Sequence, residues 1–138
     1  VTEDHNVSRM TIIVDGDDYT VEQVTKQLNK LIDVIKIRRL DPEESVNREL
    51  ALIKVNANST TRSEIIQIVD IFRANIVDVS KDTLTIEMTG SEDKIEAFEK
   101  MLKQFGIKEM VRTGMISIER GNKVIKAETT GDNGIVDE

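Results

Sequence analysis

The sequence predicts an α+β fold made of two related units, each an antiparallel sheet with helices on one face. Short runs of β-branched residues alternate with segments whose apolar residues recur at helical spacing. Clusters of Asp, Asn, Ser and Gly separate these segments, as turns do. The order strand, helix, strand occurs once in residues 1–44, and the order strand, helix, strand, strand, helix, strand follows over residues 49–119.

The first predicted unit, residues 1–44, contains two strands and one helix. Met10–Val14 is a β-branched run followed by an acidic turn, and Thr20–Asp33 has apolar residues at helical spacing with Thr20 as the expected cap. Val34–Leu40 returns to strand-like composition. These elements match only the second half of a βαββαβ unit. We therefore expect the leading strand and helix of this unit to lie ahead of Val1.

The second predicted unit, residues 45–121, contains the full βαββαβ order of the ferredoxin-like fold. Its expected elements are a strand Leu50–Ala57, a helix capped by Thr61, a hairpin of Ile76–Val79 with Thr83–Met88, a helix from Ser91 to Gly106, and strands Ile107–Val111 and Met115–Glu119. Beyond it, residues 122–138 have no periodicity, so we expect a disordered tail.

The core of the second unit follows from the two periodicities, two for strands and 3.6 for helices. The expected core residues are Ala51, Ile53, Val55, Ala57, Ile65, Ile68, Val69, Phe72, Leu84, Ile86, Met88, Ile95, Phe98 and Phe105, with Met101 or Leu102, and with Met110 and Met115. The opposite sheet face carries Leu50 and Leu52 beside Thr83, Thr85 and Glu87, and is too apolar to face only water. A partner is expected there, most simply another copy through sheet faces or edges.

Composition and charge restrict the function classes. The chain has 138 residues, 19 basic and 26 acidic side chains, a net charge of −7 and four aromatic residues. Nucleic-acid binding needs a basic surface or stacking aromatics, so this class is disfavoured. No apolar run approaches the roughly 20 residues of a membrane helix. The absence of cysteine excludes disulfides and thiolate metal sites and fits a reducing compartment.

Residues with catalytic or metal-binding chemistry are scattered rather than clustered. His5 is the only histidine and has no second ligand at metal spacing. The turn Asp15-Gly16-Asp17-Asp18 lacks the closing Glu of a calcium loop, so a solvated turn is favoured. Glu92, Glu96 and Glu99 lie on the outer side of their helix. The residues alone therefore predict a binding protein that is not an enzyme.

Five segments in order resemble the small regulatory subunit of acetolactate (acetohydroxyacid) synthase. They begin with Val7-Ser8-Arg9-Met10-Thr11-Ile12 and the helix that runs from Gln23 to Val34. They continue with Asn47–Val55, then Ile71–Val79, and end with Val111–Gly121. The resemblance spans residues 4–121.

The resemblance implies an ACT domain followed by an ACT-like ferredoxin domain, in a cytoplasmic homodimer that binds a catalytic large subunit. The small subunit would activate that partner and confer feedback inhibition by a branched-chain amino acid, with valine favoured, in valine, leucine and isoleucine biosynthesis. Thiamine diphosphate, magnesium and flavin would belong to the catalytic chain, and no cofactor or metal to this one.

The resemblance also implies where the effector binds. In this family the effector lies at the interface between two ACT domains, mainly on the strand–helix turn and the strand that we expect ahead of Val1. No catalytic residue is carried over. Arg9, Met10 and Thr11 are expected to lie behind the residues that touch the effector.

Two alternatives remain open at the sequence level. One is a free-standing, amino-acid-sensing ACT-like dimer without a synthase partner. The other is an acylphosphatase-like enzyme on the same fold, which needs an Arg and an Asn around a phosphate loop. Arg48, Arg73 and Arg112 have no glycine-rich turn beside them, which disfavours the enzyme.

Overall fold

The structure is a computed structural model that describes residues 1–125. The described residues form two compact units, one of residues 1–46 with 117–125, and one of Asn47–Ile116. Within the expected tail, residues 122–125 are neither helix nor strand, and residues 126–138 lie outside the described residues.

The second unit is built on an antiparallel sheet, and its helices are inserted where the ferredoxin-like fold requires them. The strands of the sheet are β1 (Ser45–Asn56), β2 (Asn75–Val79), β3 (Thr83–Gly90), β4 (Ile107–Arg112) and β5 (Ile116–Glu119), and all of β5 except Ile116 belongs to the first unit. The order is β2-β3-β1-β4, and β5 also pairs with β1. The helices are α2 (Arg62–Ile71) and α3 (Glu92–Leu102), and a 3₁₀ turn (Lys103–Phe105) follows α3. The predicted ferredoxin-like fold is confirmed.

The core of this unit lies between one face of the sheet and the two helices. Its buried residues come alternately from β1 and β3 and at helical spacing from α2 and α3: Ala51, Ile53, Val55, Ala57, Ile65, Ile68, Val69, Leu84, Ile86, Met88, Ile95, Phe98 and Leu102. Phe72, Phe105 and Met110 pack against them and are partly buried. The Phe72 and Phe98 ring centroids are 5.1 Å apart, a favourable aromatic pair.

The expected core positions of two methionines are wrong. Met101 is 44% exposed, because the buried stripe of α3 runs through Ile95, Phe98 and Leu102 and leaves Met101 turned about 100° away. Met115 lies in the turn between β4 and β5, is half-buried and borders an open cleft beside Gly90.

The helix starts follow capping chemistry, with one change from the prediction. Ser91 caps α3 as expected, and its hydroxyl accepts a hydrogen bond from the Lys94 amide. Thr61 occupies the N-cap position of α2, but its side chain makes no hydrogen bond to the first turn of the helix. Instead, Asn58 Oδ1 accepts from the amides of Thr60 and Thr61, both at 2.9 Å. An Asx turn before the helix thus replaces the expected capping box.

The first unit contains α1 (Asp18–Asn29) and a 3₁₀ turn (Pro42–Glu44). The prediction that Thr20 caps α1 is wrong. Asp17 is the N-cap residue, and its Oδ1 accepts hydrogen bonds from the Thr20 amide and hydroxyl, both at 2.9 Å. These hydrogen bonds to the charged form lower the pKa of Asp17.

The two strands expected in the first unit are not formed. Residues 10–14 have no regular structure, and in 34–40 only Arg38 forms an isolated bridge. A strand is stabilised by hydrogen bonds to a neighbouring strand. No strand pairs along either segment within residues 1–125, so β-branched composition alone does not order them.

Gly106 adopts a backbone conformation that favours glycine. Its φ of 91° is one that side chains disfavour, and a Cβ there would lie 2.6 Å from Asn56 Nδ2. We expect Gly106→Ala to lower the free energy of unfolding by about 1–2 kcal/mol, mainly through backbone strain. Urea denaturation followed by circular dichroism measures this loss. Ala97→Gly, at an exposed position of α3, gives a reference loss of about 0.5–1 kcal/mol from helix propensity alone, and the loss for Gly106→Ala should exceed it. A Gly106→Ala protein as stable as the parent would contradict the strained geometry.

Candidate functional site

Arg9, Met10 and Thr11 are consecutive in a segment of the first unit that has no regular secondary structure. Arg9 Nη2 donates a hydrogen bond to the Ser117 carbonyl at 2.8 Å. Both residues belong to the first unit, so this bond holds the segment against Ser117. Met10 is exposed and Thr11 is half-buried. The Arg9 side chain is therefore hydrogen-bonded within the unit, while Met10 offers an apolar side chain and Thr11 a hydroxyl group next to it.

Two further basic residues of the first unit make ion pairs that the sequence analysis did not single out. Arg38 Nε pairs with the Glu119 carboxylate, and both side chains are largely buried. Arg39 Nη2 lies 2.7 Å from Asp18 Oδ1 on the surface. Arg38 and Glu119 are 81 residues apart in the sequence, and no local pattern marks such a pair.

The first unit exposes a large amount of apolar surface. Helix α1 buries none of its residues. The exposed apolar side chains of this unit include Met10, Ile12, Ile13, Tyr19, Leu31, Ile32 and Ile35, and Ile32 is fully exposed. Apolar side chains exposed in such number within one small unit are typical of a surface that contacts another chain. These side chains are therefore candidates for an interaction surface.

Two of the three carboxylates in the acidic segment Asp15-Gly16-Asp17-Asp18 make structural contacts. Asp17 caps the helix and Asp18 pairs with Arg39. His5 is exposed in a turn near the amino terminus. Among the described residues, no three His, Asp or Glu side chains are grouped closely enough to hold a metal ion.

Glu49 and Arg112 form a partly buried ion pair in the second unit. Arg112 Nε and Nη2 donate to Glu49 Oε1 and Oε2 at 2.5 and 3.0 Å, and the side chains of Arg112 and Glu49 are 26% and 6% exposed. The pairing lowers the pKa of Glu49, first through the hydrogen bonds from Arg112, and raises the pKa of Arg112. Because each charge is accounted for by the other, this pair reads as a structural clamp between β1 and β4.

Of the three α3 glutamates predicted to form a solvated face, two are exposed and one is not fully so. Glu92 and Glu96 are exposed, and both contribute attraction that raises the pKa of Arg112. Glu99 is half-buried. The cleft beside the start of α3 has a volume of about 210 Å³ and is wide open to solvent.

No helix of the described residues is long and apolar enough to cross a membrane.

Two family models match the chain, one on each part. Residues 1–36 match the AHAS small subunit-like ACT domain, and residues 48–121 match the small subunit of acetolactate synthase. The fold and these matches define an ACT-domain protein with a second ferredoxin-like unit.

Individual relatives agree with the family models. The chain is 55% identical over 125 residues to the probable acetolactate synthase small subunit of Methanothermobacter thermautotrophicus, covering 90% of this chain and 74% of the relative. It is 53% identical over 124 residues to the acetolactate synthase small subunit of Mycobacterium bovis, with 90% and 74% covered. The crystal structure of the acetolactate synthase small subunit from Thermotoga maritima superposes with a TM-score of 0.72 at 44% identity, covering 79% of this chain and 68% of that one.

The chain belongs to the acetolactate synthase small subunit family. The resemblance found in the five sequence segments is thereby confirmed.

Proposed function

We propose that this chain is the regulatory subunit of an acetolactate synthase. It binds the catalytic large subunit, raises its activity and makes that activity sensitive to a branched-chain amino acid, with valine as the first candidate. The observation that carries the proposal is that both parts of the chain, residues 1–36 and 48–121, match the same subunit in the same order. In this proposal the chain catalyses no reaction itself, and thiamine diphosphate, magnesium and flavin belong to the catalytic partner in the cytoplasm.

The mechanism follows from linkage between two binding equilibria. An amino acid that binds between two ACT domains stabilises one arrangement of the homodimer, and that arrangement binds or activates the catalytic chain differently. Coupling between two such sites is typically about 1–3 kcal/mol, or roughly 5–150-fold. By thermodynamic reciprocity, the catalytic chain must change the affinity for the effector by the same factor.

The residues proposed for the effector response are Arg9, Met10 and Thr11. Arg9 already donates to the Ser117 carbonyl, so it acts by holding the segment in place rather than by touching the effector. Met10 and Thr11 lie next to it on a segment that no strand fixes. A segment of this kind can adjust its position at low energetic cost when a ligand binds nearby.

The exposed apolar surface of the first unit is where we place contact with other chains. Burying one isoleucine side chain contributes about 1.5–3 kcal/mol to association. Ile32 is fully exposed, so its replacement leaves the interior of the unit unchanged. A substitution at Ile32 can therefore weaken binding to another chain without disturbing the folding of the unit.

Capture of the catalytic subunit tests the proposal. The tagged full chain is expressed in cells that contain an acetolactate synthase catalytic chain and is purified at moderate salt. We expect the large thiamine-dependent chain to copurify, and Ile32→Asp to reduce its recovery about tenfold or more. The matched control Lys30→Asp changes a neighbouring exposed position and should reduce recovery much less. Purification of a bare dimer, with no synthase chain, would favour a free-standing amino-acid sensor instead.

A further inference from the structure

The first unit lacks a buried apolar core among its described residues. Within residues 1–46 and 117–125, only Ser45 is buried, and every buried apolar residue of the described chain lies in the second unit. Helix α1 buries none of its residues. A region with few buried apolar contacts opens easily. Its segments therefore depend on hydrogen bonds and ion pairs between distant residues to stay together.

One segment of this unit, residues 117–124, makes such contacts on both sides of α1, and we call it the strap. Ahead of α1, Arg9 donates to the Ser117 carbonyl at 2.8 Å. After α1, the Glu44 carbonyl accepts a hydrogen bond from the Arg120 amide at 2.9 Å. The strap is thus a common partner for residues that α1 separates in the sequence.

Arg38 makes the most buried contact with the strap. Its Nε pairs with the Glu119 carboxylate, and the two side chains are 10% and 14% exposed. Its Nη1 donates to the Val124 carbonyl at 3.0 Å. The planar guanidinium therefore binds the strap at two points, which a single amine could not do in the same geometry. Removing either partner of such a pair is strongly destabilising, because the other charge stays buried without compensation.

The adjacent arginine provides a comparison within the same unit. Arg39 pairs with Asp18, but these side chains are 51% and 89% exposed. Ion pairs that face the solvent contribute little to stability. Two consecutive arginines thus make one largely buried and one exposed ion pair, and only the buried pair involves the strap.

We infer that the strap fixes the two segments that flank α1 relative to each other, and that Arg38 is the positioning residue through which the effector response depends on the strap. This inference rests on the proposed function. Residues 10–14 belong to no strand of the described chain, and Met10 and Thr11 directly follow Arg9, which the strap holds. When only a fraction of the molecules has the binding-competent arrangement, the apparent affinity for a ligand falls with that fraction. Opening of the strap therefore weakens the effector response.

Amide hydrogen exchange in the full chain, followed by NMR, measures whether Arg38 holds the strap. The Arg120 amide donates to Glu44, and Arg38 takes no part in that hydrogen bond. We expect Arg38→Met to speed exchange of this amide about tenfold or more, because the buried Glu119 carboxylate loses its cation and the strap opens more often. Arg39→Met is the matched control and should change the rate less than about twofold.

A second variant removes the charge from the strap itself. Glu119→Gln leaves Arg38 in place and should also speed exchange of the Arg120 amide, because the ion pair is lost from the other side. The Ile53 amide, in the centre of β1, reports whether the second unit stays folded, and its exchange should match the parent in all three variants.

Reconstituted synthase activity tests the regulatory part of the inference. With saturating Arg38→Met chain, the valine concentration for half-inhibition should rise about fivefold or more, while the maximal stimulation stays that of the parent. A chain that merely unfolds would lose stimulation and inhibition together, so this split identifies a positioning role. Arg39→Met should keep both values.

The outcomes separate this inference from the proposed function. Exchange of the Arg120 amide that is no faster in Arg38→Met and Glu119→Gln than in Arg39→Met would overturn the strap. Unchanged half-inhibition by valine with an opened strap would overturn its regulatory role. A parent chain that neither stimulates the synthase nor responds to valine would remove the proposed function, whereas the exchange measurement needs neither effector nor synthase.

Discussion

Phe98→Ala is expected to lower the free energy of unfolding of the second unit by about 3–5 kcal/mol. Phe98 is fully buried on α3 and its ring packs against that of Phe72. Truncation removes both the apolar area and the aromatic contact, and the cavity remains because sheet and helices cannot collapse into it. Urea denaturation of the full chain, followed by circular dichroism at 222 nm, measures the loss.

A control on the same helix separates core packing from helix propensity. Met101 is 44% exposed on α3, and Met101→Ala should change the free energy of unfolding by less than about 1 kcal/mol. Equal losses for the two variants would contradict the buried stripe through Ile95, Phe98 and Leu102. The comparison also tests the correction made to the expected core, in which Met101 was a candidate.

Removing one partner of the Glu49–Arg112 pair has the second largest expected effect. Glu49→Leu should lower the free energy of unfolding by about 1–3 kcal/mol, because Arg112 then keeps a largely buried charge without its carboxylate. Arg112 is 26% exposed, which places the loss below that of a fully buried pair. The double variant Glu49→Leu with Arg112→Met should lose less than the sum of the single losses. Strict additivity in this cycle would show that the two side chains do not interact.

The same pair predicts a pH dependence with a definite sign. The pKa of Glu49 is lowered in the folded chain, so its contribution to stability is fully present above the ordinary glutamate pKa and is lost as pH falls through the lowered value. Denaturation at several acidic pH values should therefore show a steeper loss of stability for the parent than for Glu49→Gln. Identical slopes would contradict the lowered pKa.

Local patterns predicted most of the second unit. Alternation placed Ile53 and Ile86 in the core, and helical spacing did the same for Ile65 and Phe98, because burial in these elements repeats with the geometry of the backbone. The cap at Ser91 was likewise readable from the sequence. The Asx turn at Asn58 was not, because Thr61 with Glu64 offered an equally good local pattern.

Long-range pairings could not be read from the sequence. Glu49 and Arg112 lie 63 residues apart, and Arg9 and the Ser117 carbonyl lie 108 apart. Charged residues are frequent in this chain, with 33% of all residues charged, so no single pairing stands out. The strands expected in the first unit failed for the same physical reason. A strand depends on its neighbour, and composition does not reveal whether a neighbour is present.

Reconstitution of synthase activity tests the regulatory role most directly. The purified catalytic chain is assayed for acetolactate formation with its cofactors, alone and with increasing amounts of this full chain, with and without valine. The regulatory account predicts that activity rises with added chain and saturates, while the chain alone forms no product. A catalytic rate that stays the same at saturating chain, or product formed by this chain by itself, would contradict it.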